Sequence, residues 1–181
     1  KAIKSDNRVL AIGELGLDFF KSDNKEKQFL ALYPQLELAN ELDMPIIVHC
    51  REAAEEMIKV FKDLSKNNCC PRGVLHCWSG SPEEMEEFLS LGFYISFSGI
   101  VTFPKAYEIH ECAKSVPSNK YLVETDSPFL APVPFRGKRN EPSYVKSVAQ
   151  AIALLRSTEL VTVAKETSEN AEKLFKFDLV N

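Results

Sequence analysis

Short runs of apolar and β-branched residues recur along the chain, separated by longer segments with a different periodicity. Runs of this kind, bounded by polar or turn residues, are typical of buried strands. The sequence predicts five strands, at Val9–Gly13, Pro45–His49, Gly73–His76, Tyr94–Ser98 and Tyr121–Thr125.

The segments between these strands place apolar residues at helical spacing. They predict helices over Glu26–Leu42, Ala53–Leu64, Ser81–Leu91 and Lys105–Lys114, then a helical tail from Ser143 with caps at Ser157 and Ser168. The third helix has the clearest start, because Ser81 suits the N-cap, Pro82 the first turn and Glu84 a capping box. Strands and helices alternate, so we expect an α/β fold with a parallel sheet. A long Pro-rich loop, Pro128–Pro142, follows the last strand.

Composition narrows the class of protein. The 181 residues suit one domain, and 45% apolar and 27% charged residues are ordinary for a chain that buries a sizeable core. No apolar run approaches the roughly 18 residues of a membrane helix, so we expect a soluble protein with no membrane partner. The net charge of −4 excludes a dominant basic surface, and any contact with nucleic acid must be local. Five cysteines, with Cys69 and Cys70 adjacent, do not suit a secreted disulfide framework and indicate the cytoplasm.

Four residues of metal-binding type stand at the predicted strand ends. They are Glu14, His49, His76 and Asp126. In a β/α barrel the C-terminal ends of all strands meet at one rim, so these side chains would converge on one site. Imidazole and carboxylate donors suit zinc, manganese or magnesium, and such ions activate water or clamp a phosphoryl group. Hydrolysis is therefore the predicted reaction class.

Each of these residues also has a purely structural interpretation. A single histidine on a strand is more often a buried, hydrogen-bonded residue than a ligand, but two of the three histidines lie at strand ends. The third, His110, lies in a predicted helix and has no predicted role. Asp126 could instead cap a following helix. For Glu14, the flanking Gly13 and Gly16 indicate a close approach of two backbones more than a cap.

Six segments, in order along the chain, resemble one known family. They are IGELGLD at Ile12–Asp18, VHCR at Val48–Arg51, LHCWSG at Leu75–Gly80, SFSG at Ser96–Gly99, ETDSP at Glu124–Pro128 and RGKRNEP at Arg136–Pro142. Their succession is similar to the signatures of the TatD family of metal-dependent deoxyribonucleases. The resemblance runs from about Val9 to the segment Asn170–Phe175, so it covers nearly the whole chain.

The resemblance implies a (β/α)8 barrel of the TIM type, as in amidohydrolases, with a metal centre at its rim. Glu14 would contact or bridge two divalent ions (Mg, Mn or Zn), His49 and His76 would hold one of them, and Asp126 would be the last strand's ligand. A carboxylate that touches the attacking water can also orient or deprotonate it, which makes Asp126 the candidate catalytic residue. The implied substrate is DNA, trimmed exonucleolytically from single-stranded ends.

The chain departs from the family pattern at its beginning. Family members open with a strand that carries a His-x-His pair and two further βα units, whereas this sequence opens at Lys1 without an initiating Met. The five strands then correspond to strands four to eight, followed by a helical C-terminus. We expect residues 1–181 to be a single metal-dependent hydrolase domain that is incomplete at its N-terminus. A missing N-terminal segment of the same protein is the expected partner, because an open barrel leaves sheet edges unpaired.

Two residues next to the predicted ligands are candidates for substrate binding. Arg51 could hold a phosphate, and Trp78 could stack on an unpaired base. The structural alternatives are a salt bridge of Arg51 with Glu52 or Glu55, and packing of Trp78 at the barrel rim.

The most basic cluster lies on the Pro-rich loop and consists of Arg136, Lys138 and Arg139. The cluster suits binding of a phosphate backbone. The slightly favoured interpretation is a turn that is held to the barrel by internal salt bridges with Glu141. Two cysteines also neighbour the histidines. Because side chains alternate along a strand, Cys50 and Cys77 should point into the core, and no thiol catalysis is expected.

The leading predicted function is hydrolysis of DNA phosphodiesters by metal-activated water. Weak reliance on basic residues suits the trimming of single-stranded ends better than tight duplex binding. The same site could instead hydrolyse a small ester or amide, because a metal centre on this scaffold does not itself choose a substrate. A non-enzymatic alternative is a truncated barrel that acts as an interaction module.

Overall fold

The computed structural model describes residue 6 and residues 8–20 and 22–177, and within them the strands form one parallel sheet. The strands are β1 (Ile12–Asp18), β2 (Ile46–Arg51), β3 (Gly73–Leu75), β4 (Tyr94–Phe97) and β5 (Tyr121–Val123). Each pairs in parallel with the next one in sequence order. The predicted α/β class with five parallel strands is therefore confirmed.

Helices connect the strands, and further helices come after the last strand in the sequence. They are α1 (Lys25–Glu41), α2 (Ala54–Lys66), α3 (Pro82–Ser90), α4 (Tyr107–Ser115), α5 (Val145–Leu155) and α6 (Leu160–Phe175), with 3-10 turns at Gly99–Thr102 and Pro142–Tyr144. The predicted start of α3 is confirmed. The Ser81 hydroxyl accepts a hydrogen bond from the Glu84 backbone N–H at 3.2 Å, and the Glu84 carboxylate accepts one from the Ser81 N–H at 2.8 Å. This capping box satisfies two backbone donors that the helix itself cannot.

The first strand lies later in the sequence than its apolar pattern predicts. It continues beyond Glu14 to Asp18, and its register with β2 shifts between Ile12 and Leu15. The predicted close approach of two backbones is confirmed at Gly16, where a Cβ atom would lie 1.8 Å from the carbonyl oxygen of His49. Glu14 therefore lies within an irregular part of the strand and not at its end.

Both predicted serine caps in the C-terminal tail are wrong. Ser157 follows α5 in the left-handed conformation, with φ 51°, and Ser168 lies inside α6. The N-cap of α6 is Glu159. Burial of Val163 and Leu174 on one side of α6 favours a continuous helix, and this outweighs the weak capping preference of an internal serine.

The main core lies between one face of the sheet and the helices. Strand residues such as Leu75 and Ile95 are fully buried there, together with an aromatic group in which the rings of Phe61 and Phe93 are 4.4 Å apart. Alternate strand residues point to the other face, where a smaller cluster is covered by the end of α6. It consists of Val74, Tyr94, Leu122 and Leu174. Packing on both faces holds the parallel strands in register, so their carboxyl ends form one edge.

In the part of the chain that the structure describes, no helix combines the length and the apolar character that crossing a membrane requires.

Candidate metal centre

Three side chains from neighbouring strands meet at the carboxyl edge of the sheet. The Oε1 atom of Glu14 lies 2.9 Å from Nδ1 of His49 and 2.9 Å from Nε2 of His76. The two ring nitrogens are 3.3 Å apart. His76 directly follows β3, and its backbone N–H donates to the Val48 carbonyl at 2.9 Å, which places it beside the end of β2. The parallel register thus brings together three of the four predicted ligands.

The donor atoms of these three residues suit a divalent cation. All lie within 4.8 Å of one another, and they comprise two imidazole nitrogens and a carboxylate oxygen. Ligands about 2.0–2.1 Å from one ion are roughly 2.9–3.4 Å apart at octahedral to tetrahedral angles. The observed separations of 2.9, 2.9 and 3.3 Å fall in that range. The residues therefore fit the metal that the family resemblance implies.

Two further carboxylates, which the sequence analysis did not single out, contact the other sides of the imidazoles. Asp18 Oδ2 lies 3.1 Å from Nε2 of His49. Glu124 Oε2 lies 3.6 Å from Nδ1 of His76. A carboxylate in this position fixes the orientation and tautomer of a ligand imidazole. The sequence contained a signal for these two residues, since Asp18 ends the first of the six family-like segments and Glu124 begins the fifth. Their pairing with the two histidines depends on strand register, which those segments do not reveal.

Negative charge dominates the electrostatics of the site. Burial disfavours the charged form of His76, but the adjacent Glu124 carboxylate and the charges of Glu14 and Asp126 outweigh it and raise the His76 pKa. Burial also raises the pKa of Asp126, and the charges of Glu124 and Glu14 add to this effect. A bound cation would offset the repulsion among these carboxylates.

Asp126, the fourth predicted ligand, lies beside the group of three and not within it. Its carboxyl group is close enough for its pKa to respond to the charges of His76 and His49. Its backbone adopts the left-handed conformation, with φ 58°, and its carbonyl accepts a hydrogen bond from the Phe129 N–H at 2.8 Å. The alternative role as a helix cap is wrong, because a turn and a long loop follow Asp126.

Cys77 faces the site, contrary to the prediction that it points into the core. Its Sγ atom lies 3.2 Å from Ser98 Oγ and 4.0 Å from Asp126 Oδ2. The alternation of side chains does not reach Cys77, because β3 already ends at Leu75. Burial raises the pKa of the Cys77 thiol, like that of Cys50, to about 12. Neither residue supplies a thiolate nucleophile near neutral pH.

The prediction that Trp78 stacks on a nucleic-acid base is wrong. Its side chain is 3% exposed and packs edge-on against Phe88, with ring centroids 5.8 Å apart. The indole Nε1 donates to Cys112 Sγ at 3.3 Å. The ring turns inward because burying it between α3 and α4 removes a large apolar area from water. No face is left for a substrate base.

Arg51 remains accessible beside the site. Its guanidinium lies 3.8 Å from the centroid of the Phe20 ring. Among the described residues, no ion pair joins Arg51 to Glu52 or Glu55, so the structural alternative for Arg51 is not observed. Its role in phosphate binding stays a prediction.

Within the part of the chain that the structure describes, no salt bridge joins Glu141 to Arg136, Lys138 or Arg139, so that interpretation of the basic loop is wrong. Its cations Arg136, Lys138 and Arg139 are exposed. The residue that ties the loop is Asn140, which is 2% exposed and donates from Nδ2 to the carbonyls of Thr125 at 2.7 Å and Phe129 at 2.6 Å. A neutral amide suits this buried position because a buried charge would lose its hydration.

Comparison with known proteins agrees with this geometry. A family model described as TatD related DNase matches residues 1–176. The chain is 42% identical, over 179 residues, to the metal-dependent hydrolase YabD of Bacillus subtilis, an alignment that covers 98% of this chain and 69% of that protein. It is 38% identical, over 175 residues, to the 3'-5' ssDNA/RNA exonuclease TatD of Erwinia tasmaniensis, covering 93% and 66%. The crystal structure of the TatD homologue YJJV of Escherichia coli superposes with a TM-score of 0.90 at 30% identity, covering 98% and 68%.

Proposed function

The chain belongs to the TatD family of metal-dependent hydrolases, and on that premise we propose that it cleaves phosphodiester bonds at the ends of single-stranded DNA. The observation that supports the proposal best is the cluster of Glu14, His49 and His76, whose donor atoms are spaced as ligands of one ion. The match of the family model over residues 1–176 confirms, at the level of the family, the resemblance found in the six sequence segments.

The residues at this site have different proposed roles. Glu14, His49 and His76 would hold the divalent ion, and Asp18 and Glu124, which contact the two imidazoles, would orient them. When bound, a divalent ion polarises a phosphoryl oxygen and makes water nucleophilic near neutral pH. The identity and number of ions, Mg, Mn or Zn and one or two, are open to measurement.

Asp126 accepts the proton of the attacking water at a carboxylate oxygen. Its carboxyl group lies near His49 and His76, whose charges act on it, and a carboxylate in that position is placed for proton transfer with a metal-activated water.

Single-stranded DNA is the favoured substrate for two reasons. A relative at 38% identity is named a 3'-5' ssDNA/RNA exonuclease, which includes single-stranded DNA. The net charge of −4 also leaves only local cations for phosphate contacts, among them the exposed Arg51. We propose further that the five strands belong to a (β/α)8 barrel, which the similarity to the Escherichia coli homologue supports. Five free cysteines suit a reducing compartment, so we place the protein in the cytoplasm.

The test combines metal binding with substrate choice. Titration calorimetry with Mg²⁺, Mn²⁺ and Zn²⁺ measures binding to the wild-type protein, to the double variant His49→Ala/His76→Ala and to the control His110→Ala. We expect the double variant to lose binding and the control to keep it, because His110 lies on α4 away from the cluster.

Turnover is then compared, under one metal, on a 5'-labelled single-stranded oligonucleotide and on a small chromogenic ester. Shortening of the oligonucleotide supports the proposal. Hydrolysis of the ester without shortening of the oligonucleotide would contradict DNA as the substrate and would favour the alternative, a small-ester hydrolase. Absence of both metal binding and turnover would favour the interaction module.

A further inference from the structure

An exposed phenylalanine stands three residues after Asp126, on the loop that follows β5. The Phe129 side chain is 68% exposed. Single exposed apolar residues are common and need no explanation by themselves. The surroundings of Phe129 are unusual, however, because the loop that carries it is held firmly and bears several cations.

Hydrogen bonds fix the backbone of this loop at both ends. The Phe129 N–H donates to the Asp126 carbonyl at 2.8 Å, and the Asn140 side chain donates to the Phe129 carbonyl at 2.6 Å. The Asn140 N–H donates to the Pro128 carbonyl at 3.0 Å, and the Val133 N–H to Thr102 Oγ1 at 2.9 Å. The ring of Phe129 is thus presented to solvent from a rigid backbone, which lowers the entropy cost of binding a partner there.

The same loop presents uncompensated positive charge. Arg136, Lys138 and Arg139 are exposed, and among the residues that the structure describes none of them lies within ion-pair distance of a carboxylate. The Arg136 guanidinium is held 4.0 Å from the centroid of the Phe103 ring. This contact orients the planar group without neutralising its charge. In a protein with a net charge of −4, such a local excess of cations attracts anions to one place.

Phe129 and two of these cations, Arg136 and Lys138, border one open cavity of about 360 Å³. Its lining includes Phe103, Pro128, Phe129, Leu130, Arg136 and Lys138. Along the chain, the cavity wall at Pro128 and Phe129 closely follows Asp126, through the turn described above. An aromatic ring beside cations is the combination that recognises a base together with its phosphate.

We propose that this cavity is a nucleotide-binding subsite, in which Phe129 stacks on an unpaired base while Arg136 and Lys138 bind the adjoining phosphates. The inference rests on the proposed function, because the subsite would bind the part of the DNA that lies beyond the bond to be cleaved. It also names residues that the metal cluster does not include. Such a subsite accepts any base, since every base has a face on which an aromatic ring can stack.

The stacking part is tested by binding in EDTA, where no turnover occurs. Fluorescence anisotropy measures the Kd of a labelled oligothymidylate and of an abasic oligomer of equal length for the wild type, Phe129→Tyr and Phe129→Leu. We expect Phe129→Leu to weaken binding of the oligothymidylate about 5- to 150-fold, the range for loss of one stacked base. Phe129→Tyr keeps the ring and should bind as the wild type does. The abasic oligomer should not distinguish the three proteins.

The phosphate part is tested by the salt dependence of the same binding. Each phosphate contact on a single strand contributes about 0.7 to the slope of log Kd against log salt concentration. We expect Arg136→Ala and Lys138→Ala each to lower the slope by about that amount. Lys59→Ala is the matched control, because Lys59 is an exposed lysine on α2 and should leave the slope unchanged.

Three results would overturn the subsite. These are equal affinities of the Leu and Tyr variants for oligothymidylate, an unchanged salt slope in both cation variants, and a large fall in Tm for Phe129→Leu, which would show that Phe129 packs against protein. The proposed function fails separately, by absence of oligonucleotide cleavage in the wild type when a divalent metal is supplied. If the wild type cleaves the oligonucleotide but the variants bind it as the wild type does, the subsite alone is refuted and the proposed function stands.

Discussion

The carboxylate of Glu124 lies 3.6 Å from Nδ1 of His76, while the Oε1 atom of Glu14 lies 2.9 Å from Nε2 of the same ring. The imidazole is therefore held between two carboxylates, one on each nitrogen. Glu124 also accepts a hydrogen bond from the backbone N–H of Cys77, which fixes the carboxylate in place. This arrangement assigns Nε2 to the metal centre and Nδ1 to a supporting partner.

Replacing Glu124 should weaken metal binding without removing a ligand. We expect Glu124→Gln to lower the affinity for a divalent ion about 10- to 100-fold, the usual cost of losing a partner that orients a ligand imidazole. Titration calorimetry measures the effect. Glu111→Gln is the control, since Glu111 is an exposed residue of α4 that pairs with Lys114. Unchanged affinity in the Glu124 variant would contradict an orienting role.

Replacing Asp126 should affect turnover more than binding. We expect Asp126→Asn to lower kcat for oligonucleotide cleavage at least about a hundredfold, because an amide cannot accept the proton of the attacking water. Binding of the oligonucleotide in EDTA should be retained. Asp63→Asn, at an exposed residue paired with Lys66, serves as the control. Wild-type turnover in the Asp126 variant would refute the assignment.

Removing the buried amide of Asn140 should destabilise the protein. Asn140→Ala leaves the carbonyls of Thr125 and Phe129 without their donor, and we expect a loss of about 1–3 kcal/mol in the free energy of unfolding. Urea denaturation gives this value. Asn67 also donates to a backbone carbonyl but is exposed, so Asn67→Ala should change stability by less than about 0.5 kcal/mol. Similar losses in both variants would argue against the loop tie.

A pH dependence follows from the buried hydroxyl of Tyr121, which donates to Glu166 Oε2 at 2.6 Å. Burial raises the Tyr121 pKa, and the hydrogen bond to Glu166 and its charge raise it further. In the unfolded chain the phenol ionises near pH 10, at roughly its ordinary pKa. The folded state holds the proton at higher pH, so stability is full below about pH 10 and falls above it.

The measurement is urea denaturation of the wild type and Tyr121→Phe between about pH 9 and 11.5. We expect the free energy of unfolding to fall more steeply with pH in the wild type, because only the wild type has this phenol to ionise on unfolding. Equal slopes would show that Tyr121 does not contribute.

Local patterns predicted the elements well but misplaced some of their ends. The capping box at Ser81 is confirmed because all its groups lie within one helical turn. The end of β1 was misplaced by its register shift, and Cys77 was misoriented because β3 is shorter than its apolar run. Where a strand stops depends on the hydrogen bonds of its neighbour, which a pattern along one segment does not contain.

The sequence by itself determined the order of strands and helices, the family and the residue types of the candidate metal cluster, because periodicity and the six segments are local. Only the tertiary structure decided that Trp78 is buried, that Asp18 and Glu124 contact the imidazoles, and that Asp126 lies beside the candidate ligands. It also placed Phe129 and Arg136 in the lining of one cavity. These relationships join residues distant in sequence, and they are set by strand register and side-chain packing, which exist only once the chain has folded.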